Sequence, residues 1–265
     1  MQIGSGTRAL VTGASRGIGR AVAQALAERG ATVGLAARST GELEALARAL
    51  PGSHHPLICD VGLPASIGTA VEEFADATGG LDLLVANAGI AHYAPVAEQS
   101  LEKIEQMTEV NWLGTVYTVK AALPYLLGGG GGHIVVMSSG AGLRGFPGAA
   151  VYGATKAAQR MFAEALRHEL AGSGVSVTTV YPGEIQTSLH DHEGSRMPGW
   201  YRGGEDAATA EALAALIVKA VERDRRQLHF RSAVKGMGIL NGVSPGMADR
   251  VLRRLRGASA APRRR

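Results

Sequence analysis

The stretch that decides the fold is TGASRGIG, Thr12–Gly19, which stands between a short apolar run and an Ala-rich segment. The run at residues 8–12 has the composition of a buried strand, and residues 17–29 have a helical pattern. Glycines at such a turn permit a tight bend and close backbone approach, and the helix N-terminus offers free N–H groups to a pyrophosphate. Residues 8–29 therefore predict a strand–turn–helix unit able to bind a dinucleotide.

The same alternation continues along the chain. Short runs rich in Val, Leu and Ile alternate with longer Ala-rich segments, as expected when parallel strands are joined by crossover helices. Continuously apolar runs such as LDLLVA fit a parallel sheet that is covered on both faces. Strands are predicted near 8–12, 32–36, 55–59, 82–86, 133–138, 175–181 and, more weakly, 227–230. Helices are predicted near 17–29, 40–50, 64–78, 101–126, 150–171 and 207–222, with a short capped helix from Ser244 or Pro245. The predicted fold class is α/β: a Rossmann-type doubly wound sheet of about seven mainly parallel strands with helices on both faces.

Composition predicts one domain and argues against several kinds of partner. The chain has 265 residues, of which 46% are hydrophobic, enough for one substantial core. Its net charge of +4 comes from residues 250–265, which contain seven Arg and no acid, so the rest is mildly acidic and nucleic-acid binding is not indicated. This tail is interpreted as a solvated end, and weak contact with anionic surfaces is the alternative. With no secretory or membrane-spanning pattern, and with Cys59 as its single cysteine, the chain is expected to be cytoplasmic.

The glycine spacing points to a particular family. Gly13, Gly17 and Gly19 give G-x-x-x-G-x-G, whereas the ordinary dinucleotide motif is G-x-G-x-x-G. With this spacing the sequence resembles the short-chain dehydrogenase/reductase family, whose T-G-x-x-x-G-I-G motif is matched in full. CDV (59–61) and ANAG (86–89) are further matches, and the resemblance covers roughly residues 7–230, leaving 231–265 as a C-terminal extension with a basic tail. It implies cofactor contacts at Gly13, Ser15, Arg16, Gly17, Ile18, Gly19, Asp60, Val61, Asn87, Ala88 and Gly89.

The end of the second strand bears on the choice of cofactor. An acidic residue about 20 positions after the glycine loop normally accepts from the ribose 2′-hydroxyl of NAD. This sequence has Ala36 and Ala37 there, followed by Arg38 and Ser39. A guanidinium can hold a 2′-phosphate through charge-assisted contacts, and Arg16 in the glycine loop could supply a second cation. The predicted cofactor is NADP(H), although either arginine alone could be an ordinary surface residue.

Four further residues match the family's catalytic set. Tyr152 follows Ser139 by 13 residues and Lys156 follows Tyr152 by four, while Asn111 lies in the preceding long helix. Residues four apart share one helix face, so a nearby ammonium is expected to lower the pKa of the Tyr152 phenol by about 1–3 units. The resemblance implies that Tyr152 exchanges a proton with a carbonyl or alcohol substrate, that Ser139 orients that oxygen, and that Lys156 also holds the nicotinamide ribose. It further implies that the Asn111 region positions a water. Contacts near the nicotinamide are implied for Pro182, Gly183, Ile185 and Thr187.

Several alternatives stay open. Each of the four residues alone has an ordinary structural explanation, and a catalytically silent NADP-binding sensor or scaffold could retain all of them. A carrier-protein-linked 3-oxoacyl reductase would need a basic patch at the mouth of the site, for which Arg144 and Arg202 are the candidates.

Residues 188–204 have the length of a binding lid. No metal site is predicted, and the two helices 101–126 and 150–171 are expected to form a homodimer or homotetramer interface as in the family. An apolar or bulky substrate is suggested by His92, Tyr93, Leu143, Phe146, Trp200 and Tyr201.

Overall fold

The computed structural model describes residues 1–187, 189 and 207–256. Within these residues the strands of the main sheet are β1 (Arg8–Thr12), β2 (Thr32–Ala37), β3 (His55–Ile58), β4 (Leu83–Ala86), β5 (Gly132–Met137), β6 (Val175–Tyr181) and β9 (Gln227–His229). A separate short pair is formed by β7 (Ile185–Gln186) and β8 (Ala208–Thr209). The helices are α1 (Gly17–Ala27), α2 (Thr40–Ala49), α3 (Pro64–Thr78), α4 (Leu101–Met107), α5 (Gly114–Gly128), α6 (Ala150–Glu169), α7 (Ala210–Glu222), α8 (Ser232–Val243) and α9 (Pro245–Arg256).

The main sheet is fully parallel within the described part of the chain, in the order β3-β2-β1-β4-β5-β6-β9. β1 is the third of the seven strands, and its Val11 pairs with Leu35 of β2 on one side and with Val85 of β4 on the other. The chain moves outward in one direction from β1 to β3 and then returns to start the other half at β4. A crevice therefore opens beyond the carboxyl ends of β1 and β4, which is where open α/β sheets bind ligands. The predicted doubly wound Rossmann-type fold is confirmed.

Helices cover both faces of the sheet. One apolar layer joins the strands to α1, α2 and α7, and the opposite layer joins them to α3, α5 and α6. Packing is close where α3 meets the sheet: a Cβ placed on Gly34 of β2 would lie 2.7 Å from Leu10 and 2.8 Å from the Phe74 ring. A side chain at this position would push the helix away, so the glycine allows the second layer to approach.

Two features of the described chain differ from the sequence-based expectation. The helix predicted over 101–126 is not uniform, because a π-helical turn, Thr108–Leu113, separates α4 from α5. Helix α8 was not predicted at all, whereas α9 begins at Pro245 as expected. The proposed lid, 188–204, lies outside the described residues except for Leu189, and so do Trp200, Tyr201 and Arg202. Among the described helices none combines the length and the apolar character needed to cross a bilayer.

Candidate active site

The glycine loop is folded as tightly as its sequence predicts. Gly13 and Gly17 have φ values of +67° and +56°, in the left-handed region that glycine adopts without strain. Gly19, in the first turn of α1, must lack a side chain for a different reason. A Cβ there would lie 2.2 Å from the Gly13 carbonyl oxygen and 2.5 Å from Nδ2 of Asn87. The loop therefore folds back onto the start of α1, and only glycine fits between them.

Hydrogen bonds tie this loop to the end of β4. The Thr12 hydroxyl accepts from the backbone N–H groups of Asn87 (3.0 Å) and Ala88 (3.1 Å). The Asn87 side-chain amide donates to the carbonyl oxygens of Thr12 (2.9 Å) and Gly13 (3.3 Å). Asn87 thus braces the glycine loop while it also lines the crevice. The carboxyl ends of β1 and β4 are held at a fixed separation beneath the N-terminus of α1.

A cavity of about 630 Å³ runs along the carboxyl edge of the sheet. At one end lie Arg38, Ser39, Glu42 and Asp60, and at the other lie Tyr152 and Lys156. Of the predicted site residues, those that line it are Gly13, Ser15, Arg16, Gly17, Ile18, Arg38, Ser39, Asp60, Val61, Asn87, Ala88, Gly89, Ser139, Tyr152, Lys156, Pro182, Gly183, Ile185 and Thr187. Gly19 and Asn111 lie buried behind the lining. The structure therefore brings the predicted residues together around one cavity.

The two serines that follow β5 make different contacts. Ser138 is buried, and its hydroxyl donates to the backbone carbonyl of Lys156 at 2.7 Å. This bond fastens the strand to helix α6. Ser139 instead lines the cavity, accepts from the Ala141 N–H at 3.1 Å, and forms a side-chain hydrogen bond with Tyr152. The geometry therefore places Ser139, the residue that the motif spacing selects, beside the phenol.

Burial governs the protonation of the Tyr152–Lys156 pair. Desolvation raises the pKa of Tyr152 to about 12, against a smaller lowering effect of the hydrogen bond from Ser139. The expectation of a lowered phenol pKa was therefore wrong for this site, because burial raises the pKa and the lowering influence comes from Ser139, not from Lys156. Burial also lowers the pKa of Lys156 to about 7. The Lys156 ammonium nitrogen donates to the Met137 carbonyl at 3.0 Å and lies 5.8 Å from the centre of the Tyr152 ring.

Asn111 sits in the π-helical turn, fully buried, and its side chain is completely engaged. Its Oδ1 accepts from the Ile90 N–H at 2.8 Å, and its Nδ2 donates to the Ile90 carbonyl (2.9 Å) and to Thr155 Oγ1 (3.0 Å). Its own carbonyl accepts from Thr115 Oγ1 and from Nε2 of Gln159, each at 2.8 Å. Asn111 thus joins the loop after β4 to helix α6. π-turns are frequent at functional sites because they displace one residue from the regular ladder.

The motif analysis missed part of the cavity wall, which comes from α8. Ala233, Val234, Met237 and Gly238 line the cavity, together with Arg231 just before the helix. Val234 lies against the active-site turns, since a Cβ on Gly140 or Gly183 would be 3.3–3.4 Å from its methyl groups. A segment with three glycines in twelve residues gives no periodic signal that could have revealed this.

Some of the residues predicted to border the substrate line the cavity, and others do not. Tyr93, Leu143 and Phe146 line the cavity, as expected. The rings of Tyr93 and Tyr152 meet edge to face, with centroids 5.8 Å apart. His92 instead borders a small neighbouring depression beside Glu98 and Lys103. Leu189 and the apolar residues of α8 add to the lining of the cavity.

Arg144 is not available as a surface basic patch. Its side chain is 6% exposed, and it pairs with Asp249 of α9. It also donates to Asn241 Oδ1 of α8 at 3.3 Å, and Asn241 donates back to the Leu143 carbonyl at 3.3 Å. The expectation that Arg144 could receive an acidic carrier protein is therefore corrected: this guanidinium links the active-site loop to the C-terminal helices.

No metal centre is visible in the part of the chain that the structure describes. Within those residues, His, Cys, Asp and Glu nowhere form a group of three or more that could hold an ion. Cys59, predicted to be a buried thiol, is 3% exposed, and burial raises its pKa to about 11.

Comparison with known proteins adds independent information. A family model described as short chain dehydrogenase matches residues 7–197. A mouse protein, dehydrogenase/reductase SDR family member 7B, is 30% identical over 255 residues, covering 92% of this chain and 79% of its own length. A glycine betaine reductase of Emericella nidulans is 39% identical over 188 residues, covering 70% of this chain but only 15% of that protein.

Solved structures resemble the whole fold. A short chain dehydrogenase/reductase from Burkholderia phymatum, in complex with NAD, has a TM-score of 0.84 at 25% identity, covering 93% of this chain and 96% of its own. An alcohol dehydrogenase from the archaeon Thermococcus sibiricus, complexed with 5-hydroxy-NADP, has a TM-score of 0.74 at 30% identity, covering 86% and 97%. Proteins with this fold thus include binders of either nicotinamide dinucleotide.

Proposed function

Because the chain belongs to the short-chain dehydrogenase/reductase family of oxidoreductases, we propose that it is an NADP(H)-dependent enzyme acting on a carbonyl or secondary alcohol, with Tyr152 as general acid/base. One observation carries the proposal: Ser139, Tyr152 and Lys156 meet at one end of a cavity whose other end holds Arg38. The glycine loop lies between these two ends. This order along the crevice suits a dinucleotide with its nicotinamide beside Tyr152.

The residues present fit such a cofactor. The left-handed glycines and the excluded Cβ at Gly19 let a pyrophosphate approach the backbone N–H groups at the start of α1. The segment after β6 also approaches the glycine loop, since a Cβ on Gly17 would lie 3.3 Å from the Thr187 side chain. When bound, NADPH would supply a hydride from the nicotinamide C4. Gly13, Ile18, Asn87 and Thr187 would hold the dinucleotide along the crevice.

The chain's own groups then handle the proton. Tyr152, with a pKa of about 12, is protonated at neutral pH and can donate to the oxygen of a reduced carbonyl. Ser139, hydrogen-bonded to the phenol, would orient that oxygen and stabilise its developing charge. Lys156, with a pKa of about 7, can exchange a proton near neutral pH and so can help restore the phenol. At neutral pH the phenol is therefore in the protonated form that reduction of a carbonyl requires.

The preference for NADP(H) is proposed from charge at the far end of the cavity. Arg16 and Arg38 line it, and Ala37 stands at the end of β2 where a carboxylate would repel a 2′-phosphate. Glu42 and Asp60 line the same end, so two carboxylates stand there beside the two guanidiniums, and it is the guanidiniums that can bind a phosphate. The Thermococcus relative complexed with 5-hydroxy-NADP supports the choice, whereas the Burkholderia relative was solved with NAD.

Turnover of a carbonyl and alcohol panel, followed by NADPH absorbance, tests the reaction. Tyr152→Phe should lower kcat about 10²–10⁴-fold, the range for general acid/base groups, while NADPH affinity measured by calorimetry stays within a few-fold. Tyr125→Phe, in α5, is the matched control. NADPH binding with no turnover of any compound would favour the silent sensor instead. The substrate, assembly through α5 and α6, and cytoplasmic location stay predictions.

A further inference from the structure

Helix α8 combines an apolar sequence with a surface position. Its residues, SAVKGMGILNGV, include one charged side chain, Lys235. Across residues 232–243, all of which the structure describes, none is buried. The inner side of the helix, with Val234 and Met237, lines the cavity. The outer side carries Ile239 and Val243, four residues apart on one face, at 58% and 81% exposure.

The next helix, α9, also has an exposed side, and this side carries positive charge. Met247, in its first turn, is 51% exposed, and Arg250 and Arg254 follow it at helical spacings that keep all three on one face. Arg253 is exposed as well. The opposite side holds Ala248, which is fully buried. We call Ile239, Val243, Met247, Arg250 and Arg254 the C-terminal patch.

Charge is concentrated at this end of the chain. Residues 231–265 contain nine Arg or Lys and one acid, Asp249, although the whole chain has a net charge of only +4. Asp249 is paired with Arg144, so its charge is already compensated. The remainder of the protein is net negative, so this end carries the excess positive charge that an anionic partner would meet.

We propose that the C-terminal patch docks on the surface of an anionic phospholipid bilayer, with Ile239, Val243 and Met247 entering the interface and Arg250 and Arg254 contacting headgroups. Exposed apolar side chains flanked by arginines are the composition of an interfacial, membrane-surface element. A nucleic acid would use the cations but leave the apolar side chains in water. Two copies of this chain joined through the patch would bring four arginines and no acid of the patch into one interface, which is unfavourable.

The position of α8 gives the docking a consequence. Because its inner side lines the cavity beside Leu143, a docked α8 would lie between the bilayer and the substrate end of that cavity. Docking would then place the substrate end of the cavity one helix away from the lipid. This consequence rests on the proposed function, whereas the docking itself does not.

Sedimentation of the full-length protein with vesicles tests the docking without any enzyme assay. Binding is expected to vesicles of phosphatidylcholine mixed with phosphatidylserine, and not to phosphatidylcholine alone. Replacing Ile239, Val243 and Met247 by Ser should lower the partition coefficient at least about tenfold, as expected when three apolar anchors are lost. Replacing Arg250 and Arg254 by Ser should also weaken binding and reduce its dependence on salt. The matched control replaces Val96, Leu101 and Met161, comparably exposed elsewhere, by Ser.

Three outcomes would overturn the proposal. One is binding that survives the apolar replacement but disappears when residues 257–265 are deleted, because the tail alone would then be responsible. Another is equal binding to heparin by the apolar variant and the wild type without vesicle binding, which would indicate a polyanion partner. The third is a concentration-dependent dimer that the Val243→Ser change dissociates. Melting temperatures of all variants show whether a loss of binding merely reflects unfolding, and NADPH binding that is retained in a vesicle-deficient variant separates this test from the proposed reaction.

Discussion

Arg144, in the loop that follows β5, forms an ion pair with Asp249 of α9 although 105 residues separate them. The pair is asymmetric, because the arginine side chain is 6% exposed and the aspartate side chain 53%. The Arg144 guanidinium also donates a hydrogen bond to Oδ1 of Asn241 in α8. Within the described residues, Nε of Arg144 is buried without a hydrogen-bond partner. The C-terminal helices are thus attached to the loop after β5 through one buried guanidinium.

This asymmetry predicts unequal effects of removing each partner. Asp249→Ala leaves a buried cation without its carboxylate and should lower the free energy of unfolding by about 1–3 kcal/mol. Arg144→Met leaves a half-exposed carboxylate that water can solvate, so its effect should be below about 1 kcal/mol. Urea unfolding followed by circular dichroism measures both. A larger loss in Arg144→Met than in Asp249→Ala would show that the pair does not behave as a buried cation with an accessible partner.

What the sequence could predict was local. The seven strands of the main sheet and the glycine loop follow from apolar periodicity and from a motif whose residues are close together in the chain. The spacing of Ser139, Tyr152 and Lys156 also identified the residues that meet at the cavity end. Helix and strand periods fix where nearby side chains point, which accounts for the strands and for the Tyr152–Lys156 pair, whereas Ser139 was selected by its resemblance to the family's motif.

What it could not predict depends on tertiary contacts. Helix α8 has no apolar period and is defined by its packing on Leu143 and on the turns at Gly140 and Gly183. The pairing of Arg144 with Asp249 joins distant segments that no local pattern relates. The predicted lowering of the Tyr152 pKa was wrong for a similar reason. The i, i+4 spacing places Lys156 near Tyr152, but the degree of burial, which raises the pKa, is a property of the folded site.

Gly19 provides a second prediction, about the glycine loop. Gly19→Ala would bring a methyl group to 2.2 Å from the Gly13 carbonyl, so the loop must open and separate from Asn87. Overpacking of this kind destabilises by about 1–3 kcal/mol, and NADPH affinity should fall more than about tenfold. Gly41→Ala, in the first turn of α2 with nothing near its added methyl, is the control and should be neutral or slightly stabilising. Calorimetry measures the NADPH affinity of both variants, and thermal melts measure their stability. An unchanged NADPH affinity in Gly19→Ala would contradict the proposed pyrophosphate site.

The cofactor preference gives a third prediction. Arg38→Asp replaces a cation at the cavity end by an anion, so the KM for NADPH should rise roughly 10–100-fold, as for the loss of a charge-assisted hydrogen bond. The KM for NADH should fall, since a carboxylate can accept from the ribose 2′-hydroxyl. Arg48→Asp makes the same charge change on the exposed side of α2 and should leave the ratio of the two KM values unaltered. Equal KM values for the two cofactors in the wild type would count against the NADP(H) assignment.

The buried amine of Lys156 provides a fourth prediction, which concerns stability and pH. Its pKa is lowered by burial from 10.5 to about 7, so between these values the unfolded chain holds a proton that the folded chain has released. The unfolded state then binds more protons, and the free energy of unfolding should rise with pH. From pH 7 upward the gain approaches about 1.4 kcal/mol per unit at its steepest.

The window from pH 7 to 9 isolates this effect from the other shifted groups. The groups whose pKa burial raises, Cys59, Tyr152 and Tyr181, have ordinary values of 9.0 or 10.0. Those whose pKa burial lowers, His133 and His229, have an ordinary value of 6.5, so most of the effect of all five groups falls outside this window. Urea unfolding at pH 7 and at pH 9 should therefore show a gain on the order of 2 kcal/mol in the wild type. Lys156→Met should remove that gain, because the apolar side chain has no proton to release, whereas Lys120→Met, at an exposed position of α5, should retain it. A gain of equal size in Lys156→Met would mean that another group titrates in this window and that Lys156 is not the neutral amine at the proposed active site.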